Sequence, residues 1–389
     1  MQPLSMNSGR NFASSCSAHP LATQAVGEAV GEVLEALNGA QPDLVVWFAT
    51  SHHVGAFEDI HSALQSLLNP RSVIAATSVT AIGGETEIEN APGLSIFAAT
   101  LPDNALEVMR LEAVETIDGL EVTGWADGTG EAHTLLLLAD PFSFPVDVAL
   151  RSAEVRYPGL LIVGGNASAG SRPGSNRLVL NNDIYLDGGV AIAISGGEPI
   201  RTVVSQGCRP LGVPFTVTAS NGQFIETLGG KTALQRLREV AAEAEESDRE
   251  LLRDGVHLGV AVKERNEVLG RGDFLMRTVI GGDSATGAIA IGAHVEVGTT
   301  AQFQVRDASS ALEDLALLLD GVEAGGVLMF TCNGRGTRFF SLPNKDAEAV
   351  QTAMGPLPLA GMACAGEIGP ISGQNHLHGF TASLALFPR

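Results

Sequence analysis

Apolar residues recur at helical spacing through residues 20–37, at Leu21, Ala25, Val26, Ala29, Val30, Val33, Leu34 and Leu37. That stripe opens on a proline and stops at Asn38-Gly39, which predicts a helix packed on one face. Residues 43–50 (DLVVWFAT) then form a continuous apolar run of strand length. A helical pattern follows through Phe57, Ile60, Leu64, Leu67 and Leu68, and a second strand, SVIAATSV, closes the unit. Runs this apolar predict strands covered on both faces.

The same order recurs. TLLLLADP (134–141), a helical VDVALRSAEV and GLLIVGGNASAG (159–170) make a second copy. GGVLMFTCNGRG (325–336), a helical KDAEAVQTAM and PLAGMACAGEIGP (358–370) make a third. In each, the second strand runs into a loop of small residues: ATSVTAIGG, GGNASAG and ACAGEIG. A looser fourth copy is PFTVTASNGQF, one long charged helix over residues 231–253, and HLGVAVKE. Asn221-Gly222 marks a hairpin, and GAIAIGAHVEVGTTAQFQV alternates in the manner of paired antiparallel strands. The expected fold is mixed α/β (α+β): repeated strand-helix-strand units with hairpins and mixed sheets covered by helices, an arrangement that allows α-β-β-α layering. The expected division is an N-terminal segment 1–42 with the amphipathic helix, a domain over 43–210 and a domain over 211–389.

Length and composition narrow the function. At 389 residues, with 45% hydrophobic and 17% charged residues, the chain is long enough for two or more cores, and it holds no apolar stretch of membrane-spanning length. A net charge of −21 repels phosphate backbones and anionic lipid, so nucleic acid and membrane are excluded as expected partners. The N-terminus lacks the charged and apolar blocks of a secretion signal, which leads to an expected cytoplasmic location. Cys16, Cys208, Cys332 and Cys364 show no CxxC spacing, so neither a disulfide frame nor a structural zinc site is expected, and no cofactor motif is present.

Candidate chemistry gathers in the last quarter, where Cys332, Asn333, Arg335, Glu367, Asn375, His376 and His378 sit among glycines. Arg335 could fork onto a ligand carboxylate or pair with Glu367, which could instead receive an amino group; together they would read an amino acid zwitterion. The expected site is formed by residues 332–336 and a loop over 366–373, with ligand contacts from Cys332, Asn333, Arg335, Glu367, Asn375 and His378. An enzyme reading makes Cys332 the nucleophile, His378 the base and Glu367 the orienting acid of a hydrolase or transferase. A scaffold with no ligand is a third reading. His52-His53 with His376 and His378 could be drawn as a metal site, but two adjacent strand histidines face opposite ways and no third ligand is convincing.

Several ordered motifs together resemble the FIST family: PDLVVWFATSHH, VGGNASAGSRPGSNRLVLNN, VSQGCRPLG, PFTVTASNGQFIETLGGKTAL, FTCNGRGTRFF and GEIGPISGQNHLHGFTAS. The resemblance implies a two-part sensory module, N-terminal then C-terminal, that binds small ligands such as amino acids in intracellular signal transduction. It also implies output through a signalling partner or a homo-oligomer, since no kinase, cyclase or F-box region is visible. His376 stands where an aromatic residue is expected, so no family role carries over to it.

Overall fold

A computed structural model describes residues 11–101, 103–117, 119–127, 131–262 and 269–389. Residues 1–10 of the expected N-terminal segment, and Lys263 and Glu264 of the looser fourth copy, lie outside them. The protein is mixed α and β, with helices in the minority. Among the described residues two compact units form: one within residues 1–204, 316–377 and 382–389, the other within residues 205–315 and 378–381. The expected boundary near Pro210 therefore divides sequence, while packing returns most of the last seventy or so residues to the first unit.

Each of the three clear repeats is a parallel strand pair bridged by a helix. Leu44–Thr50 pairs with Ser72–Ser78, Ala132–Ala139 with Leu161–Asn166, and Gly326–Cys332 with Leu359–Cys364. Period-two alternation explains why all these strands read as continuous apolar runs. Leu44, Val46 and Phe48 point into one core together with Leu136, Leu138, Leu328 and Phe330. Val45, Trp47 and Ala49 point the other way, under the helices Ala22–Ala36 and Phe57–Leu68. Leu135, Leu137 and Ala139 likewise face the helix Val146–Arg156. Three sheets thus share one buried interior, where Phe48 and Phe330 meet edge to face at 6.0 Å.

The edges of these pairs are closed by exchange. The hairpin Thr80–Gly83 and Thr86–Glu89, which follows the first repeat, pairs with Leu359–Cys364 of the third. Leu178–Leu180, after the second repeat, pairs with Ser72–Ser78 of the first. Glu367–Ile371, after the third, pairs with Leu161–Asn166 of the second. The circuit closes at the small-residue loops. Ser78 and Ser168 hydroxyls both donate to the Ala363 carbonyl, at 2.7 and 2.5 Å, and the Asn166 N–H donates to Gly366 O at 2.9 Å. Only small side chains allow three loops to approach this closely.

In the second unit, Thr300–Arg306, Phe215–Asn221, Phe224–Leu228, Ile289–Ile291, Phe274–Gly282 and His257–Ala261 pair in a closed circuit around Val217, Leu228, Leu258 and Phe303. Three expectations change here. Ile289–Ile291 and Thr300–Arg306 are antiparallel strands, but they pair with other strands and not with each other. In the looser fourth copy the two strands flank Thr300–Arg306 and do not pair directly. The long helix is two, Ala233–Glu243 and Glu246–Asp254, separated by extended Ala244. Like charges at Glu243 and Glu246 disfavour continuity. Arg249 Nε bonding Ala244 O at 3.0 Å and Arg209 held between Asp248 and Asp307 fix the bend.

Gly164 and Gly361 occupy the same place in two repeats, and a Cβ at either would lie 2.0 Å from the carbonyl of Leu137 or Met329. Gly164→Ala should lower stability by more than about 3 kcal/mol. Gly31→Ala, in open space on a helix, should raise it by about 0.5–1 kcal/mol. Calorimetric midpoints moving in opposite directions check the pair.

Candidate functional site

Parallel strands present ligand sites beyond their carboxyl ends, where the loops diverge. At the carboxyl ends of Gly326–Cys332 and Leu359–Cys364 lies a cavity of about 230 Å3. Its walls come from Thr331, Cys332, Asn333, Arg335, Arg338 and Ala363 of the third repeat and from Thr80, Glu87, Glu89 and Asn90 of the exchanged hairpin.

The wall after Cys332 is a tight turn. Asn333 N–H continues the ladder to Cys364 O at 2.8 Å, and Arg335 N–H returns to Cys332 O at 2.8 Å. Gly336 follows with φ of 73°. A Cβ there would lie 2.7 Å from Glu89 Oε1, so glycine is required by both conformation and space. Glu89 in turn accepts the Thr337 N–H at 2.9 Å and the Thr337 hydroxyl at 2.8 Å.

Arg335 does not present its fork to solvent. Its side chain is 1% exposed, and Asp346, at 0%, takes Nε at 2.7 Å and Nη2 at 2.5 Å. The Phe340 ring lies 5.2 Å from the guanidinium carbon. Burial alone would lower the guanidinium pKa, but Asp346 outweighs it and holds the group above its ordinary value. Asp346 stands in the first turn of Lys345–Met354, and the next residue, Ala347, donates its N–H to Glu87 at 2.9 Å. Burial first, and then the Asp346 charge, push Glu87 up to about 7. Glu87, Asp346 and Arg335 form one buried network between the hairpin of the first repeat and the helix of the third.

The other expected site residues are placed differently. Residues 367–371 are a strand rather than a loop, and fully buried Glu367 pairs in register with Gly165. Its charge acts on Arg335 and on Cys364, but it does not line the cavity, and Arg335 is paired with Asp346. The Asn375 amide accepts Ile162 N–H and donates to Leu160 O, each at 2.8 Å, and so works as an edge clamp on the second repeat. His378 is buried and belongs to the second unit, and the neighbouring His376 is half-buried on the strand Gln374–His378. His53 is buried, and burial followed by His52 lowers its pKa. Among the described residues no group of three or more His, Cys, Asp or Glu side chains is placed to hold a metal.

The site residues that were not foreseen include Glu87, Glu89, Asn90, Arg338 and Asp346. The acids at 85, 87 and 89 alternate with Thr86 and Ile88, a period-two signal that places them on one face of a strand. Nothing local marks Asp346 as the partner of Arg335.

The FIST N domain model matches residues 43–231 and the FIST C domain model residues 233–370. An uncharacterized protein of Mycobacterium tuberculosis is 41% identical over 377 residues, covering 95% of this chain and 97% of its own. An uncharacterized protein of Mycobacterium bovis is 39% identical over 374 residues, covering 95% and 96%. A solved cyanuric acid hydrolase from A. caulinodans aligns over 98% of this chain and 100% of its own at 9% identity and a TM-score of 0.32, too slight a likeness to indicate a shared fold. No helix among the described residues is long and apolar enough to cross a membrane.

Two measurements check the buried network. Arg335→Ala leaves Asp346 buried without its partner and should cost about 3–5 kcal/mol, whereas the double change Arg335→Met with Asp346→Leu should recover much of that loss. The folded pKa of Glu87 is raised above its ordinary 4.5, so its contribution is fully present below pH 4.5 and is lost as pH rises towards about 7. Denaturant titrations should therefore show Glu87→Gln gaining stability relative to wild type across that window.

Proposed function

The chain belongs to the FIST family, and on that premise we propose that the cavity of the third repeat is the receptor site for a small carboxylate, with an amino acid the best fit. Domains of this family are small-ligand-binding sensory modules in signalling. The observation that carries the finer reading is Arg338, which is exposed, lines the cavity and has no ion pair among the described residues. Arg335, committed to Asp346, leaves the forked recognition of a carboxylate to this second arginine. Glu89, on the same cavity, offers a carboxylate to a ligand ammonium, and Asn90 and Asn333 offer amides. Occupancy would bear on the exchanged hairpin and the third repeat together, and be passed to a signalling partner or a second copy.

A thermal-shift screen against amino acids, keto acids and short dicarboxylates tests this. Ligand at about 100 times its Kd adds roughly 2.7 kcal/mol, a shift of several degrees. Arg338→Ala should weaken carboxylate binding about 10- to 100-fold, the worth of a charged hydrogen bond. Glu89→Gln should weaken amino acids more than the matching keto acids. Undiminished binding in Arg338→Ala, or no response to any compound, would count against the proposal.

A further inference from the structure

Cys332 and Cys364 are register partners at the carboxyl ends of neighbouring parallel strands. Partners on adjacent strands lie about 5 Å apart, within the span of roughly 4.4–6.8 Å that a disulfide bridges. Both continue the inward-facing series of their strands, Leu328 and Phe330 on one and Ala360 and Met362 on the other, so their side chains leave the same face of the sheet. The two thiols differ in access. Cys332 is half-buried and lines the cavity, whereas Cys364 is fully buried. Room for its sulfur comes from Gly165, where a Cβ would lie 2.4 Å from it.

The surroundings divide the chemistry between them. Gly334 N–H donates to Cys332 Sγ at 3.4 Å, and the charge of Arg335 acts on the same sulfur. Burial first, then Glu367 and Cys332, raise the Cys364 thiol, which keeps its proton. The remaining cysteines lack this arrangement. Cys16 is paired in register with Ser95 and is pushed up to about 12 by burial and then by Glu32. Cys208 is paired in register with Arg306 in the second unit.

We propose that Cys332 and Cys364 are an oxidisable dithiol that closes to a disulfide when a hydroperoxide enters the cavity. The Cys332 thiolate attacks one peroxide oxygen: a sulfur–oxygen bond forms, the oxygen–oxygen bond breaks, and the sulfur gives up two electrons as a sulfenic acid. The departing oxygen leaves as hydroxide, or as an alkoxide from an organic peroxide, and takes a proton from solvent to become water or an alcohol. The Cys364 sulfur then attacks the Cys332 sulfur. A sulfur–sulfur bond forms, the sulfur–oxygen bond breaks, and the hydroxyl departs as a second water carrying the Cys364 proton. One peroxide is reduced and two thiols are oxidised. A thiol reductant reverses the step.

Peptide mapping by mass spectrometry under non-reducing conditions, on full-length protein treated with stoichiometric hydrogen peroxide, tests this. The expected product joins the Cys332 and Cys364 peptides, two hydrogens lighter than their sum, and separates with dithiothreitol. Cys364→Ser should stop at Cys332 sulfenic acid, trapped by dimedone, and Cys332→Ser should leave Cys364 unmodified. Wild-type Cys332 advancing to sulfinic acid while Cys364 stays reduced, or cross-links that involve Cys16 or Cys208 instead, would overturn the assignment. So would complete inertness of Cys332. No ligand is added, so the result is independent of the receptor reading.

Discussion

Every strand must satisfy the backbone groups along both its edges, and in the first unit no repeat can do so alone. Each parallel pair leaves the outer edge of its second strand open, and each edge is covered by a segment that belongs to another repeat. The shared interior follows from the same constraint, because closing the edges in a ring turns one face of every sheet inward. The three small-residue loops are where the chain passes from one sheet to the next, and their serines tie the crossing to the Ala363 carbonyl. Helices play the secondary part of covering the faces left outside.

The cavity is a product of that exchange. Thr80, Glu87, Glu89 and Asn90 reach the third repeat only because the hairpin of the first pairs there. Arg335 is a support of this wall. Its pairing with Asp346 anchors the turn after Cys332 to the helix Lys345–Met354, while Glu87 reaches the same helix from the hairpin. A buried pair of this kind stabilises little relative to apolar residues, but it holds a unique geometry, and losing one partner is costly. The rest of the cavity wall includes residues outside the network: Glu89, Asn90, Asn333 and Arg338.

Local physics was legible in the chain, and partnership was not. Apolar runs at residues 43–50, 134–139 and 326–332 identify the central strands because burial on both faces leaves few polar positions. The helix at residues 20–37 was readable from its stripe, and its end from Asn38-Gly39, both of which take positive φ. The stretch over residues 231–253 misled because most of its residues favour helix, while the break at Ala244 rests on the like charges of Glu243 and Glu246 and on the contacts of Arg249 and Arg209. The site was half legible. Glycines around Arg335 marked a tight turn, yet whether a buried arginine meets a ligand or an aspartate depends on which helix turn lies beside it. Glu367 looked like loop chemistry because Gly366 and Gly373 flank it, whereas the segment between them is a strand held by the second repeat.

The ring of exchanged edges also sets an order of events during synthesis. The second repeat ends at Asn166, and its edge is covered by Glu367–Ile371, so ~200 further residues must emerge first, a wait of tens of seconds at about 5–20 residues per second. Through that interval a nascent chain carries an apolar sheet with an unprotected side, an invitation to strand pairing between neighbouring copies. A long-lived open edge early in synthesis is thus a consequence of the topology of the fold.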